Sequence, residues 1–166
     1  DSPKVLFEKY DELGYNYRMT DLQASIGRVQ LKKLKSIVKK RREIASLYNS
    51  VLASLSNIVL PSEGSNVMTN WQSFCVKLAN DGPSIRVVMQ YLLDKGISSR
   101  RGIPCAHREL SYHQTKYATW EGKKEGKKPK LNESLRASNR CILLPLHHHL
   151  QEEDIVYIKN TLKEIL

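Results

Sequence analysis

Two groups of donor-bearing side chains in this chain have the types and the spacing to hold an anion. The first lies in Gly14-Tyr15-Asn16-Tyr17-Arg18-Met19-Thr20-Asp21-Leu22-Gln23, where a carboxamide and a guanidinium stand two residues apart just ahead of a helix start. Thr20 followed three residues later by Gln23 spells a capping box, and Met19 occupies the staple position over Ala24. The free amides and positive end of a helix beginning here add to the attraction for negative charge. Two readings stand open from these residues alone: Asn16 serves its own turn while Arg18 pairs with an acid such as Asp21, or both meet an external anion. The second group is Arg100-Arg101-Gly102-Ile103-Pro104-Cys105-Ala106-His107, continuing to Tyr112. Adjacent guanidiniums at a Gly/Pro turn, then His107 and Tyr112, suit a pyrophosphate and sugar hydroxyls. A solvated basic loop is the alternative.

Other reactive-looking residues carry less. His147-His148-His149 invites a metal, but consecutive histidines do not converge easily on one tetrahedral ion, and no cysteine or carboxylate stands at ligand spacing. Cys105 with His107 two residues on does not define a base-activated thiol. The three cysteines, Cys75, Cys105 and Cys141, are far apart and without CxxC spacing, so reduced thiols are expected.

The elements that must position these groups follow from composition and periodicity. At 166 residues the chain is the size of one domain and can bury a sizeable core. No apolar run approaches the roughly 20 residues of a membrane-spanning helix, and the first residues do not open a secretory signal, so a cytoplasmic protein is expected. The formal charge is +10, with cations crowded at 32–42 (Lys32, Lys33, Lys35, Lys39, Lys40, Arg41, Arg42) and again at 123–130. Such fields attract phosphates of any origin, and they also occur on solvated faces.

Residues 1–19 read as a lead-in and turn, and apolar residues at helical spacing from Leu22 to Leu55 predict a long connecting helix over 20–56 that bends near Ser36. Residues 57–166 read as a small domain. Strands are expected at Ile58–Leu60, Trp71–Ala79, Ile97–Arg100 and Cys141–Leu144. Helices are expected from Pro83 to Gly96, near Ser111–Trp120, after an Asn132 cap, and from Glu152 to the end. The fold class is α+β: a long connecting helix, then a small, mostly antiparallel sheet with helices packed on one face.

The GYNYRM-x-D-x-QA segment, Gly14 to Ala24, resembles the corresponding turn of the DegT-like nucleotide-sugar aminotransferases, which are fold-type I pyridoxal-phosphate enzymes. The similarity continues through Gly96–Tyr112 and through Leu144-Pro145-Leu146 with its acidic helix start. It implies the C-terminal small domain of a cytoplasmic, homodimeric enzyme that aminates a keto group on a nucleotide-linked sugar, with glutamate the expected donor. It further implies that Asn16 reaches the cofactor phosphate of the neighbouring subunit, that Arg18 lies near the substrate's anionic region, and that Arg100, Arg101, His107 and Tyr112 line the substrate entrance. In that family a Ser-x-His-x-x-Lys segment carrying the cofactor lysine precedes the turn. Nothing before Gly14 matches it, so pyridoxal phosphate would be held mainly by a missing N-terminal domain and the isolated chain is expected to be inactive. The rival readings are a basic nucleic-acid-binding module, led by the 32–42 run, and a non-catalytic regulatory relative.

The nucleic-acid reading is open to direct test. Because phosphate contacts make binding steeply salt-dependent, a true nucleic-acid surface would hold tightly at physiological salt and fail on charge reversal across Lys32–Arg42. Weak, nonspecific retention is the outcome expected in a filter-binding assay; a submicromolar, sequence-selective complex would establish the rival.

Overall fold

The computed structural model describes residues 3–7, 12, 14–15, 17–110 and 131–166. Asn16, Tyr112, the helix expected near 111–120 and the basic run at 123–130 lie outside the described residues.

Helix α1, Asp21–Leu52, opens with the capping box that its sequence spells: Thr20 N–H donates to Gln23 Oε1 at 3.0 Å and Gln23 N–H to Thr20 Oγ1 at 3.3 Å. At 1.5 Å per residue its 32 residues span about 48 Å. It continues unbroken through the expected bend, where the Ser36 hydroxyl simply donates back to Lys33 O. Met19 is 74% exposed, so it contributes little as a staple. Burial is confined to the second half of the helix, at Ile44, Ala45, Tyr48 and Leu52. In the first half Leu22, Ile26 and Val29 are 73%, 57% and 53% exposed. At 100° per residue Ile26 projects in line with Ile44, five turns further on, and Leu22 and Val29 fall within about 60° of it. The apolar side of the helix thus continues past the part that the small sheet covers.

The sheet has four strands, β1 Ile58–Val59, β2 Phe74–Leu78, β3 Arg100–Arg101 and β4 Cys141–Leu144, in the order β1-β2-β4-β3 with every pairing antiparallel. The β2–β4 ladder sets Phe74 opposite Leu144 and Val76 opposite Ile142, so one face of both strands is buried. Onto it pack α1, α2 (Ile85–Asp94) and the C-terminal helix α4 (Glu152–Ile165), which share a single apolar core. Helix α3, Asn132–Arg140, feeds directly into β4, and the Arg140 guanidinium donates to the Gly82 and Pro83 carbonyls of the β2–α2 turn.

Local chemistry accounts for the element ends. Ser84, one residue beyond the expected proline start, caps α2 by accepting from Val87 N–H. The helix ends in a Schellman motif: Ile97 N–H bonds Leu92 O, Gly96 N–H bonds Leu93 O, and Gly96 takes the φ of +77° that the motif needs. Asn132 is the first residue of α3 and not its cap, a place taken by Leu131 without a side-chain bond. Strand β3 begins only at Arg100, because the residues after Gly96 first complete the helix stop.

Two cations of the 32–42 run are structural. Arg41 donates to the carbonyls of Trp71 and Gln72, and Arg42 donates to Thr69 O and makes a two-pronged 3.0 Å pair with Glu63. Together they clasp the 61–73 loop to α1, including Trp71 at φ +49°, an uncommon conformation for a bulky residue. That clasp presents Trp71 to Phe74 and Phe74 to Tyr48 as an aromatic stack, with centroids 5.8 and 4.7 Å apart. The Tyr48 hydroxyl donates to Pro145 O, and burial pushes its phenol well above the ordinary range.

The Arg42 bond, and then the Thr69 N–H, hold the Glu63 carboxyl below its usual value of 4.5. A carboxylate with a lowered folded-state pKa stabilises fully above its unfolded value and loses that contribution as pH falls through the folded one. Proteolytic nicking of the 61–73 loop should therefore rise as the pH falls below the ordinary carboxylate range, and Glu63→Gln should show the raised rate already at pH 7 with little further change on acidification. A different constraint acts at Gly102, where an added Cβ would stand 2.7 Å from Cys141 Cβ and 2.8 Å from its carbonyl carbon. Gly102→Ala is expected to destabilise by about 1–3 kcal/mol in denaturant melts, as overpacking does, by pushing β3 off β4.

Candidate functional site

Both arginines of the second group fall on β3, and the structure gives them different situations. Arg101 is held: its guanidinium donates to Ser138 Oγ at 3.2 Å, pairs with Glu109 at 3.7 Å and lies 5.8 Å from the centroid of the Phe7 ring. Arg100 is exposed and makes no hydrogen bond or ion pair among the described residues. The strand alternation that places Arg101 opposite Ile142 and Arg100 opposite Leu143 turns the two side chains to opposite faces at this edge.

The loop beyond β3 is fastened to α3 at three points. Besides Arg101–Ser138, the Cys105 thiol reaches Ser134 O at 3.1 Å and Arg108 donates to Asn139 Oδ1 at 2.8 Å. Cys105 is thus a buried structural thiol. His107 rides on the single turn Ala106–Arg108, half-buried, with Nε2 out of solvent and without a hydrogen-bond partner among the described residues. A buried imidazole nitrogen without a partner is unusual and is available to a group beyond the described residues. Tyr112 lies outside the described residues. The contribution of Ser134, Ser138 and Asn139 is not apparent in a linear reading; the only signal is that 134 and 138 share a helix face at i, i+4.

A cavity of about 390 Å³ opens beside β3, lined by Arg100, Arg101, Ser98, Ser99 and the apolar Leu93 and Pro104 among others. The Ser99 hydroxyl is buried without a partner among the described residues. Neither Arg18 nor His107 lines this cavity. Arg18 stands at the free end of α1, exposed, about 36 Å of helix away from Ile44, the first buried position. This chain alone therefore does not bring the two groups together.

The remaining candidates have bland settings. His147, His148 and His149 are exposed, and no group of three or more His, Cys, Asp or Glu among the described residues could hold a metal ion. Desolvation, then the neighbouring Cys141, push the Cys75 thiol up to about 11, which keeps it protonated and unreactive at neutral pH. Lys32, Lys33, Lys35 and Lys39 remain exposed on α1. No helix among the described residues is long and apolar enough to cross a membrane.

Comparison with known proteins matches this architecture. The chain is 28% identical over 149 residues to a dTDP-4-dehydro-2,3,6-trideoxy-D-glucose 4-aminotransferase of Saccharopolyspora spinosa, covering 89% of this chain and 34% of that protein. It is 31% identical over 157 residues to a GDP-perosamine synthase of Escherichia coli O157:H7, covering 93% of this chain and 38% of that one. Among solved structures, the putative sugar aminotransferase Spr1654 of Streptococcus pneumoniae in its PMP-form superposes with a TM-score of 0.71 at 25% identity, over 89% of this chain and 35% of that one. The chain thus spans less than two-fifths of the length of the curated relatives that it matches. Residues 3–163, which include the α1 entry, the sheet and the β3 arginine loop, match one family throughout: the chain belongs to the DegT/DnrJ/EryC1/StrS aminotransferase family.

Proposed function

We propose that this chain is the C-terminal part of an enzyme that transfers an amino group, from glutamate, to a keto group on a nucleotide-linked sugar used in surface-glycan or amino-sugar biosynthesis. The observation that carries the reading is Arg100: an exposed guanidinium without a partner among the described residues, on a strand whose next residue is tied down on three sides. A cation kept free while its neighbour is committed to structure is suited to an external anion, and a forked guanidinium suits a pyrophosphate. His107, with its unpartnered Nε2, serves sugar hydroxyls in this reading, together with Tyr112.

At the α1 entry Arg18 is exposed and without a partner among the described residues, beside a turn fixed by the capping box. These features fit an anion, and Asn16 with Arg18 would meet the cofactor phosphate and the substrate's charged region of a neighbouring subunit. Pyridoxal phosphate, present in a solved PLP-form of the pneumococcal relative, supplies when bound the electron sink for moving an amino group. This chain's residues bind and orient around it. The uncovered stripe of Leu22, Ile26 and Val29 supports a larger assembly, a homodimer of a longer cytoplasmic protein, because contiguous exposed apolar residues mark interaction surfaces. Engagement of Arg41 and Arg42 within the fold weakens the nucleic-acid alternative.

In the full-length enzyme, Arg100→Ala should raise KM for the nucleotide sugar about 10- to 100-fold, the range for a lost hydrogen bond to a charged group. The half-reaction with glutamate should stay intact, since glutamate carries no pyrophosphate. Lysine at this position should restore part of the loss. Arg101→Ala should instead lower the melting temperature first. If both half-reactions fall together on Arg100→Ala, the residue supports the fold or the cofactor and the assignment is wrong.

A further inference from the structure

The turn that carries His107 is held from both sides. Arg108 N–H bonds Cys105 O at 2.9 Å and Glu109 N–H bonds Ala106 O at 3.0 Å, which closes the turn on itself. Ahead of His107 the buried Cys105 thiol donates to Ser134 O at 3.1 Å, and behind it the Arg108 guanidinium donates to Asn139 Oδ1 at 2.8 Å. Both partners lie on α3, and that helix is itself fixed. Asn139 is followed by Arg140, bonded to the Gly82 and Pro83 carbonyls, and then by Cys141, which stands opposite Lys77 in the β2–β4 ladder. A short chain of bonds therefore runs from the core ladder to the backbone on either side of an imidazole whose Nε2 is out of solvent and without a partner among the described residues.

From this arrangement we infer that Asn139 is a positioning residue for the sugar: through Arg108 it holds the His107 turn in the one orientation from which Nε2 meets a sugar hydroxyl. The Cys105 tie alone would leave the turn hinged at one end, and a second point of attachment is what fixes its direction. Glu109 does not supply that point, because its contact with Arg101 is an ion pair of 3.7 Å, longer than a hydrogen bond and without its directionality. Orientation matters here because a hydrogen bond holds only within a few tenths of an ångström of about 3 Å, so a small swing of the turn would lose it. The Arg108–Asn139 bond is exposed, while Arg140 and the ladder already hold α3, so the fold has little need of it. The inference rests on the reading that His107 serves the sugar, and it goes further by giving Asn139 and Arg108 their roles.

Two measurements test it, one on the 166-residue chain and one on the full-length enzyme. In the chain, modification by diethyl pyrocarbonate, followed at each histidine by mass spectrometry, should run about three- to tenfold faster at His107 in Asn139→Ala, the reach of one modest hydrogen bond. The exposed His147, His148 and His149 are internal controls and should not change. In the enzyme, Asn139→Ala should raise KM for the nucleotide sugar by about the same factor, with kcat, the glutamate half-reaction and the melting temperature nearly unchanged. Asn139→Asp keeps an acceptor for Arg108 and should restore both readouts. In a His107→Ala background Asn139→Ala should add nothing, because a residue that acts only through His107 then has nothing to position. An unchanged His107 rate or an unchanged KM in Asn139→Ala overturns the inference. So do additive effects in the His107→Ala background, failure of aspartate to restore, or a KM that rises only as the melting temperature falls. If His107→Ala leaves KM unchanged, the inference falls as well, while the substrate reading is decided separately by Arg100→Ala.

Discussion

The antiparallel pairing of β2 with β4 is the constraint on which the rest of the molecule hangs. It joins residues nearly seventy positions apart, and its register aligns Phe74, Val76 and Leu78 with Ile142 and Leu144 on one buried face. A slip by one residue would turn all of these outward, so the apolar pattern and the register enforce each other. Helices α1, α2 and α4 then have one surface on which to bury their stripes, and β3 has one edge on which to add. Closing so long a loop is entropically unfavourable until the core forms, which makes sheet and helices interdependent.

The candidate site inherits its geometry from that ladder. β3 exists as two residues added to β4, and Gly102 lets the chain approach Cys141 closely enough for the Gly102 N–H to bond Cys141 O at 2.9 Å. Its alternation separates Arg100 from Arg101, and α3, which leads into β4, supplies the seryl and asparaginyl partners that fix the loop beyond. A cation tied into the fold and one left exposed are therefore neighbours in sequence and differ only in which side of a strand they occupy. The same division appears on α1, where Arg41 and Arg42 fasten a loop while the lysines before them stay in solvent.

Helix α1 has two roles along one axis. Its C-terminal half is a core element, anchored by Tyr48 in the aromatic stack and by the bond to Pro145 O. Its N-terminal half carries the capped entry and exposed apolar residues, among them Ile26 in line with the buried Ile44. The apolar side of the helix is thus longer than the sheet that covers it, in a chain that spans under two-fifths of its relatives.

The sequence by itself determined what depends on near neighbours. Thr20 and Gln23 cap one another across three residues, Gly96 ends α2 because φ is positive there, and the alternation of Phe74 to Leu78 declares a half-buried strand. The motif around Arg18 and the α+β class were legible for the same reason, since each is written in contiguous residues. Only the tertiary structure decided which charges are free. Arg41, Arg42 and Arg101 read in sequence like their basic neighbours, but their partners, Trp71 O, Glu63 and Ser138, lie 21 to 37 residues away and meet them only once β2 and β4 have paired. Nor did Gln90 announce itself, because its bonds to Pro3 O and Val5 N–H bridge more than eighty residues through a side-chain amide that any exposed helix could carry. Capping and periodicity act locally and survive in the linear text; ion pairing and cavity walls arise from long-range contacts that only the folded chain creates.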